Sequence, residues 1–402
     1  MNRMISFDPS DLEAIADPYP VFSRIRSGGR VQRLESGFWM ITGHAAALEA
    51  LHHPDCGSSP IAMRYLDGLP PGAARDEMSH RINFLDPPDH PRVRGIVSKA
   101  FTPRRIATLR PWIEQTAAEL LDGLDGEREV DLLARFAHQL PSLVISELLG
   151  VPPEDRDKLT SWSDAVAPLL GVRVPGEKKE AAFAAAEEFH AYLGHLLDER
   201  TAKPGNDLLS ALLAAEAEGE RLERVELLSL AATLYSAGHR TTRDLFTNGM
   251  SVLLSDAARY RAVTSGEWAI VDVVSEFLRF ETPTLFVARI PMRSVTIGGT
   301  EIGAFEPILV FLAAANRDPD VYDDPDSFRP GRSGAAPISF AFGAHFCLGA
   351  SLARSEAEVM LAAVSSRWPD LRLHPDHALV WLQRGPFRGL DELIVTREPA
   401  EA

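Results

Sequence analysis

The chain of 402 residues has few cysteines and a shortage of positive charge. Its two cysteines, Cys56 and Cys347, lie far apart in sequence and form no disulfide framework, which fits a reducing compartment. The chain has 41 lysines and arginines but 57 aspartates and glutamates, and its formal net charge is −16. Phosphate binding needs a concentrated basic face, so nucleic acid is excluded as an expected partner.

Long apolar runs are also missing. Residues 1–22 are polar and contain proline, without the apolar core of a signal peptide or a membrane anchor. We therefore expect a cytoplasmic protein with no membrane partner. The remaining composition is ordinary for a globular protein.

Helical periodicity is what the chain has in abundance. It dominates from Leu109 to Ala202, and residues 221–256 form the longest periodic stretch, roughly 50 Å of helix at about 1.5 Å per residue. Residues 31–42 predict a hairpin, and residues 292–312 predict another around Gly298-Gly299. Residues 54–80 lack periodicity and predict a long irregular segment. Because we find no internal repeat and no long linker, we expect one domain over residues 1–402.

Residues 340–350, FAFGAHFCLGA, place a cysteine between glycines. Gly343 and Gly349 permit tight turns beside Cys347, and the apolar residues that follow predict a helix starting there. A thiol beside a helix N-terminus ionises more easily, and its thiolate is suited to ligate iron. For the cysteine considered alone, a buried structural residue is the favoured interpretation, since that is the commoner fate of a free cysteine.

The spacing of this segment resembles the haem-binding loop of cytochrome P450 enzymes at Phe340, Gly343, His345, Cys347 and Gly349. One position departs, because Ala341 stands where the family usually has glycine or a small polar residue. The resemblance extends from Asp17 to Val395. It implies a mainly α-helical triangular-prism fold with small β-sheets, haem b (iron protoporphyrin IX) as cofactor, and Cys347 as the proximal metal ligand.

Two further cations, His90 and Arg94, lie about one helical turn apart, because Pro91 suits the first turn of a helix. By themselves they would be ordinary surface charges. Their family counterparts bind a haem propionate, as does the counterpart of Arg289, through charge-assisted hydrogen bonds. The resemblance thus assigns a set of cofactor-binding residues: His90, Arg94, Arg289, Phe340, His345, Cys347 and Gly349.

Residues 236–242, SAGHRTT, insert glycine and hydroxyls into the long predicted helix. This indicates either a functional distortion or a kinked core helix whose threonines bond their own carbonyls. The segment resembles the family's oxygen-binding motif Ala-Gly-x-acid-Thr, with Ala237, Gly238 and Thr241 in place. Arg240 replaces the acid. The resemblance implies that Thr241 helps deliver protons during oxygen activation, whereas the role of the acid cannot be transferred.

Arg240 has two interpretations. As a catalytic-site residue it would bind a substrate carboxylate, because an unpaired guanidinium deep in a pocket is costly, and peroxide-using relatives that oxidise fatty acids have an arginine at about this point. As a structural residue, the interpretation we prefer, it would pair with Asp244, four residues on, or with an acid of the covering helices. The candidates there are Glu180, Glu187 and Glu188.

Two other sets of residues complete the predicted site, of which the first matches the family. Glu276 and Arg279 match its Glu-x-x-Arg pair, to which the resemblance assigns a structural role. The third partner, Arg329 or Arg332, stays open because residues 325–328 depart from the usual Pro-x-Arg-Phe. Three apolar residues are expected to line the substrate pocket: Leu234, Leu285 and Phe286.

The implied function is a haem-thiolate monooxygenase that uses dioxygen to hydroxylate or epoxidise a small natural-product-type substrate in secondary metabolism. No flavin or iron–sulfur segment is fused, so a separate ferredoxin and ferredoxin reductase are implied, and we expect a monomer. One alternative uses Arg240 to anchor a carboxylate for oxidative decarboxylation or peroxide-driven oxidation. Another is a non-catalytic relative that binds a partner protein, which the retained haem-ligand residues disfavour.

Overall fold

The computed structural model describes residue 7 and residues 15–170, 176–215 and 219–397. Within these ranges helices predominate and the strands are short, which confirms the predicted mainly α-helical class with small sheets. Residues 171–175, inside the stretch of predicted helical periodicity from Leu109 to Ala202, lie outside the described residues. Among the described helices, none combines the length and apolar character that a membrane span requires.

The α-helices of the described ranges differ widely in length, from four residues to 31. In chain order they are α1 (Tyr19–Ser27), α2 (His44–His52), α3 (Ser59–Leu66), α4 (Ala73–His80), α5 (Asp89–Ala100), α6 (Pro103–Asp122), α7 (Gln139–Leu149), α8 (Arg156–Val166), α9 (Gly176–Ala202), α10 (Leu208–Ala214), α11 (Arg224–Leu254), α12 (Ala257–Thr264), α13 (Ile270–Phe280), α14 (Leu312–Ala315) and α15 (Ala350–Arg367).

The described strands are each two to five residues long. They are β1 (Val31–Arg33), β2 (Trp39–Ile41), β3 (Cys56–Gly57), β4 (Glu129–Asp131), β5 (Val287–Pro291), β6 (Val295–Ile297), β7 (Thr300–Ile302), β8 (Ile308–Val310), β9 (Arg372–Leu373), β10 (Trp381–Arg384), β11 (Phe387–Leu390) and β12 (Ile394–Thr396).

The chain divides into two compact units. The first comprises residues 1–56, 110–140 and 241–402, and the second comprises residues 57–109 and 141–240. The expectation of one domain over residues 1–402 therefore stays a prediction. Each unit is described by itself below.

The first unit contains the sheets. Strands β1-β2-β8-β5-β3 form one sheet in that order, β4-β12-β9 form a second, and the pairs β6-β7 and β10-β11 are hairpins. The predicted hairpin of residues 31–42 is confirmed, with Val31 opposite Ile41. The second predicted hairpin is β6-β7, which turns at Gly298 and Gly299; their φ angles of +55° and +74° favour glycine.

Residues 54–80 do not form the irregular segment that we predicted. They contain α3 and α4, each eight residues long and flanked by glycine and proline. On α4 the apolar residues Ala74 and Met78 are one turn apart and pack in a core cluster with Val166 and Ala182 of the second unit. So short a helix shows little periodicity in sequence and is stabilised mainly by this packing.

Helix α11 is the long helix that the sequence predicts, about 46 Å over 31 residues. Residues 236–242 are α-helical, so the glycine does not interrupt the helix. A Cβ atom on Gly238 would lie 3.2 Å from the Ile145 side chain of α7. A Cβ on Gly249 would lie 2.2 Å from the Phe277 ring of α13. Both glycines therefore permit close packing of neighbouring helices.

Candidate active site

The cysteine loop has a tightly hydrogen-bonded backbone. The Cys347 N–H donates to the Phe340 carbonyl at 3.0 Å, and the Phe346 N–H donates to the Gly343 carbonyl at 3.0 Å. Gly343 has a φ of +74°, and a Cβ there would approach the Leu51 carbonyl oxygen to 2.7 Å, so glycine is required on two grounds.

The one departure from the family pattern has a conformational cost. Ala341 has a φ of +58°, a left-handed conformation in which the Cβ of an L-residue crowds the backbone. Such a residue costs about 1–2 kcal/mol relative to glycine. The loop keeps its shape because the Ala341 N–H donates to the Ile338 carbonyl at 2.8 Å and the side chain packs on an apolar cluster.

The two thiols have opposite environments. Cys56 is buried, and this burial raises the pKa of its thiol to about 11. Cys347 is exposed and lies three residues before Ala350, the first residue of α15, an 18-residue helix. An accessible thiol close to a helix N-terminus is suited to be a thiolate ligand. This environment fits the haem-thiolate role implied for Cys347 and does not fit a buried structural cysteine.

The other cofactor-binding candidates lie partly in the first unit and partly in the second, and we describe them unit by unit. In the first unit, Arg289 on β5 is buried and its Nη1 donates to the Ala288 carbonyl at 2.7 Å, while His345 ends a 3₁₀ turn and is half-buried. In the second unit, His90 is buried and Arg94 half-buried, one turn apart in α5. Phe340 packs 6.4 Å from the Phe346 ring.

The oxygen-binding candidates lie on the least buried side of α11. Leu234, Gly238 and Thr241 are half-buried and Ala237 is exposed, whereas most of the helix is buried. Their spacing of three or four residues puts them on one face. The helix therefore presents one accessible stripe, formed by the motif residues Ala237, Gly238 and Thr241 and by Leu234, which was predicted to line the substrate pocket.

Arg240 contacts an acid that the sequence interpretation did not consider. Its Nη1 lies 3.8 Å from Asp164 Oδ1, on α8 of the same unit. The same carboxylate oxygen lies 3.4 Å from Nε2 of His239, whose side chain is fully buried. Asp164 was missed because it precedes Arg240 by 76 residues, and only the packing of two helices brings the two together.

Most of the acids that we suggested as partners of Arg240 have other contacts. Asp244 Oδ1 is 2.7 Å from Nη2 of Arg243. Glu187 accepts from the Ala73 N–H at 2.7 Å, and Glu188 accepts from the Trp162 indole at 2.7 Å. Glu180 is exposed on α9. The acid that lies beside Arg240 is Asp164 of α8, which was not among the suggested partners, and the structural role of Arg240 stays a prediction.

His239 makes a second contact, which fixes the position of one ring hydrogen. Its Nδ1 lies 2.9 Å from the Tyr235 carbonyl, which can only accept a hydrogen bond. Nδ1 therefore carries a hydrogen, and Nε2 faces the Asp164 carboxylate. The Asp164 carboxylate therefore faces both His239 and Arg240.

The Glu276–Arg279 pair lies in α13 and is almost completely buried. Arg279 Nη2 donates to Glu276 Oε1 at 2.7 Å and to the Ser327 carbonyl at 3.0 Å. Arg332 supplies the third side chain, with its Nε donating to Glu276 Oε1 at 3.0 Å. Arg329 contributes its backbone N–H to the same oxygen at 2.8 Å. Both arginines left open by the sequence therefore contact Glu276, one by its side chain and one by its backbone.

The three predicted pocket residues differ in accessibility. Leu285 is 2% exposed and packs in a core cluster with Phe22 and Phe311. Phe286 is partly buried, 5.0 Å from the Phe311 ring, and Leu234 is half-buried on α11. Phe286 and Leu234 are the more accessible members of the set.

Comparison with known proteins places this geometry in a family. Residues 270–368, which contain the Glu276–Arg279 pair and Cys347, match the family model for cytochrome P450. The chain is 35% identical over 398 residues to vitamin D(3) 25-hydroxylase of Pseudonocardia autotrophica, covering 96% of this chain and 95% of the relative. It is 36% identical to cytochrome P450 monooxygenase PikC of Streptomyces venezuelae, covering 94% and 91%.

A third relative is known both by sequence and by structure. The polyketide biosynthesis cytochrome P450 PksS of Bacillus subtilis is 33% identical, with 98% of each chain covered. Its solved structure matches with a TM-score of 0.87, covering 98% of this chain and 100% of that one. The chain therefore belongs to the cytochrome P450 family, whose cofactor is a haem with a thiolate ligand. Its relatives are monooxygenases, and the chain is an oxidoreductase that incorporates oxygen into a small-molecule substrate.

Proposed function

We propose that this chain is a haem b monooxygenase that hydroxylates or epoxidises an uncharged, natural-product-type substrate in secondary metabolism. Two relatives support this substrate class, since their names refer to vitamin D(3) hydroxylation and to polyketide biosynthesis, and a third, named as a monooxygenase, supports the type of reaction. In this proposal the protein is cytoplasmic and monomeric, and a separate ferredoxin with its reductase supplies electrons.

In this proposal Cys347 is the proximal ligand, and His345 and Arg289 bind propionate in the first unit, as His90 and Arg94 do in the second. Phe340 and Gly349 shape the loop. The bound haem supplies reductive activation of dioxygen and oxidation of a C–H or C=C bond. The accessible stripe of α11 supplies Ala237 and Gly238 as small residues that admit ligands and Thr241 as a hydroxyl that positions a proton.

The observation that favours an uncharged substrate is the contact between Arg240 and Asp164. At 3.8 Å the carboxylate balances part of the guanidinium charge within the second unit. A guanidinium already facing a carboxylate gains less from binding a second one, because the two anions repel each other. The geometry thus supports the structural role of Arg240 over the role of carboxylate anchor.

The competing function retains Arg240 as a substrate anchor. It has support from the partial exposure of the Arg240 side chain, 20%, since a fully buried ion pair would be closed to ligand. In that case the substrate would be a carboxylic acid, and the reaction an oxidative decarboxylation or a peroxide-driven oxidation. Asp164 would then have to move or be protonated when substrate binds.

A spin-state titration of the ferric haem separates the two functions. Matched carboxylic acids and their methyl esters are titrated against wild type, Arg240→Ala and Asp164→Asn. Under our proposal wild type binds acids and esters alike, whereas Asp164→Asn, which leaves the guanidinium without its carboxylate, gains a preference for acids. The difference in binding free energy between acid and ester should then be about 1.5–3 kcal/mol, the value of a charge-assisted hydrogen bond. It should disappear when Asp164→Asn is combined with Arg240→Ala.

A preference of wild type for acids would contradict our proposal. If wild type prefers acids and Arg240→Ala loses that preference by a similar amount, Arg240 is a substrate anchor. Lys179→Ala serves as the matched control for removal of a cation. This lysine belongs to the same unit but bonds the Gly68 carbonyl at 2.8 Å, so its loss should leave both titrations unchanged.

A further inference from the structure

The sheet β4-β12-β9 of the first unit carries a cluster of metal-ligand side chains that the oxidation chemistry does not use. The cluster comprises Glu129 on β4 and the two histidines that follow β9, His374 and His377. One ligand atom from each lies within 4.8 Å of the other two. From this geometry we propose that the chain has a second metal site, which binds a divalent transition metal such as Zn²⁺ through these three side chains.

The strand register places Glu129 and His374 on one face of the sheet. Thr396 on β12 is opposite both Glu129 on β4 and Arg372 on β9. Side chains alternate between faces along a strand, so His374, two residues after Arg372, points to the same side as Glu129. Val130 and Val395 point to the other side and are buried. The cluster therefore lies on the outer face, accessible to ions.

The distances are close to those that a tetrahedral ion requires. Zinc bound at about 2.0–2.1 Å to nitrogen and oxygen ligands separates them by roughly 3.4 Å. His374 Nε2 is 3.2 Å from Glu129 Oε2, and His377 Nε2 is 3.9 Å from Glu129 Oε1. The two imidazole rings are nearly perpendicular, with centroids 4.8 Å apart. The two distances end on different oxygens of Glu129, and the three ligand atoms lie within 4.8 Å of one another, so side-chain rotations that bring them closer by up to about an ångström would complete the geometry.

The surroundings of the histidines support ligation. His377 Nδ1 lies 3.5 Å from Glu392, so a hydrogen on Nδ1 can donate to that carboxylate while Nε2 binds the metal. Such a carboxylate orients a histidine ligand and raises its basicity. The backbone of His374 is fixed, because its N–H donates to the Ile394 carbonyl at 3.0 Å and its carbonyl accepts from the His377 N–H at 3.3 Å.

One contact opposes the metal and limits its affinity. His374 Nδ1 accepts from the Asp376 N–H at 3.2 Å, so in the metal-free protein Nε2 carries a hydrogen that faces Glu129. Metal binding at Nε2 requires the other neutral tautomer, with the hydrogen on Nδ1, so the exposed Asp376 N–H loses its acceptor and bonds water instead. Two imidazoles and one carboxylate suit Zn²⁺, Ni²⁺ and Cu²⁺ better than Ca²⁺ or Mg²⁺, which prefer oxygen ligands alone.

Isothermal titration of the tag-free holoenzyme with Zn²⁺ alone tests the proposal. We expect one saturable site per chain. His374→Ala and His377→Ala should each weaken it at least tenfold, as should Glu129→Gln, which keeps the shape of the side chain and removes its charge. His195→Ala, which removes an exposed histidine from α9, should leave the site unchanged. Zinc should also raise Tm in wild type and not in the two histidine variants.

X-ray absorption spectroscopy identifies the zinc ligands directly, because the zinc absorption edge lies at a different energy from that of the haem iron. The proposal predicts nitrogen and oxygen ligands with imidazole scattering, which is lost in the His374→Ala, His377→Ala double variant. The proposal is overturned if wild type shows only weak, non-saturating uptake, or if a saturable site survives in that double variant. Circular dichroism and the carbon monoxide spectrum verify that each variant is folded.

Discussion

Glu356 shows at the scale of one residue how burial acts on an ionisable group. Its side chain lies in α15, 2% exposed, and its Oε2 lacks a hydrogen-bond partner among the described residues. Burial raises the pKa of this carboxyl well above its usual value. The folded protein therefore binds the proton more tightly than the unfolded chain. The contribution of Glu356 to the free energy of unfolding is fully present below pH ~4.3, the pKa of the unfolded chain, and is lost as the pH rises from there through the higher folded-state pKa.

We expect Glu356→Gln, which cannot ionise, to be more stable than wild type at pH 8. The gain should grow from pH 5 upwards by about 1.4 kcal/mol per unit until the folded-state pKa is reached. Urea denaturation at several pH values measures it. Glu358→Gln on the same helix is the control, because that residue pairs with Arg110 at 3.1 Å and should give no gain. An equal gain at every pH would show that Glu356 is already ionised in the folded state.

At the same scale, the sequence identifies Arg240 as unusual but does not identify its partner. The motif fixes which residue replaces the acid, because the neighbouring Ala237, Gly238 and Thr241 define the register. The partner Asp164 depends on how α8 packs beside α11, which no local pattern encodes. Asp244, four residues on, was a reasonable expectation from helix geometry, but the adjacent Arg243 pairs with it.

At the scale of elements, one carboxylate joins α13 to residues 329–332, which come after α14 in the chain. Glu276 accepts from Arg279, from Arg332 and from the Arg329 backbone. Removing one member of a buried ion pair leaves the other charges uncompensated.

We expect Glu276→Gln to lower the free energy of unfolding by about 3–5 kcal/mol. Thermal or urea unfolding followed by circular dichroism measures this loss. Asp326→Ala is the matched control: it breaks an ion pair to Arg317, but Asp326 is 65% exposed, and the cost should stay within about 1 kcal/mol. Similar losses in both variants would mean that the Glu276 network contributes no more than a surface pair.

The two glycines of α11 provide a second comparison at this scale. A Cβ on Gly249 would lie 2.2 Å from the Phe277 ring, whereas a Cβ on Gly238 would lie 3.2 Å from the Ile145 side chain. Gly249→Ala should therefore destabilise the protein by about 1–3 kcal/mol through overpacking. Gly238→Ala should cost less, since the flexible Ile145 side chain can shift and alanine gains about 1 kcal/mol of helix propensity. Calorimetry of both variants measures the two losses of stability. A larger loss for Gly238→Ala than for Gly249→Ala would show that α13 moves away from the added methyl group more easily than α7 does.

At the scale of the whole molecule, the net charge of −16 opposes folding through self-repulsion. Salt weakens this repulsion, because the distance over which two charges interact falls from about 30 Å at 0.01 M salt to about 10 Å at 0.1 M. Surface ion pairs are also weakened, but each contributes only about 0–1 kcal/mol. We expect Tm to rise by a few degrees between 10 and 200 mM sodium chloride. Choline chloride at equal ionic strength should raise Tm by the same amount, because screening does not depend on the identity of the cation. An unchanged or falling Tm would show that attractive ion pairs outweigh the self-repulsion.

The sequence by itself determined the helical class, the two hairpins, the long helix α11 and the cysteine loop with its family. These features are local, because glycine positions, helical periodicity and motif spacing act over a few residues. Tertiary structure alone decided that residues 59–80 form two helices, that Asp164 faces Arg240, and that Arg332 completes the Glu276 network. It also brought Glu129 to His374 and His377, more than 240 residues further along the chain. Each of these depends on packing or strand pairing between distant segments, and such pairing is not encoded in either segment alone.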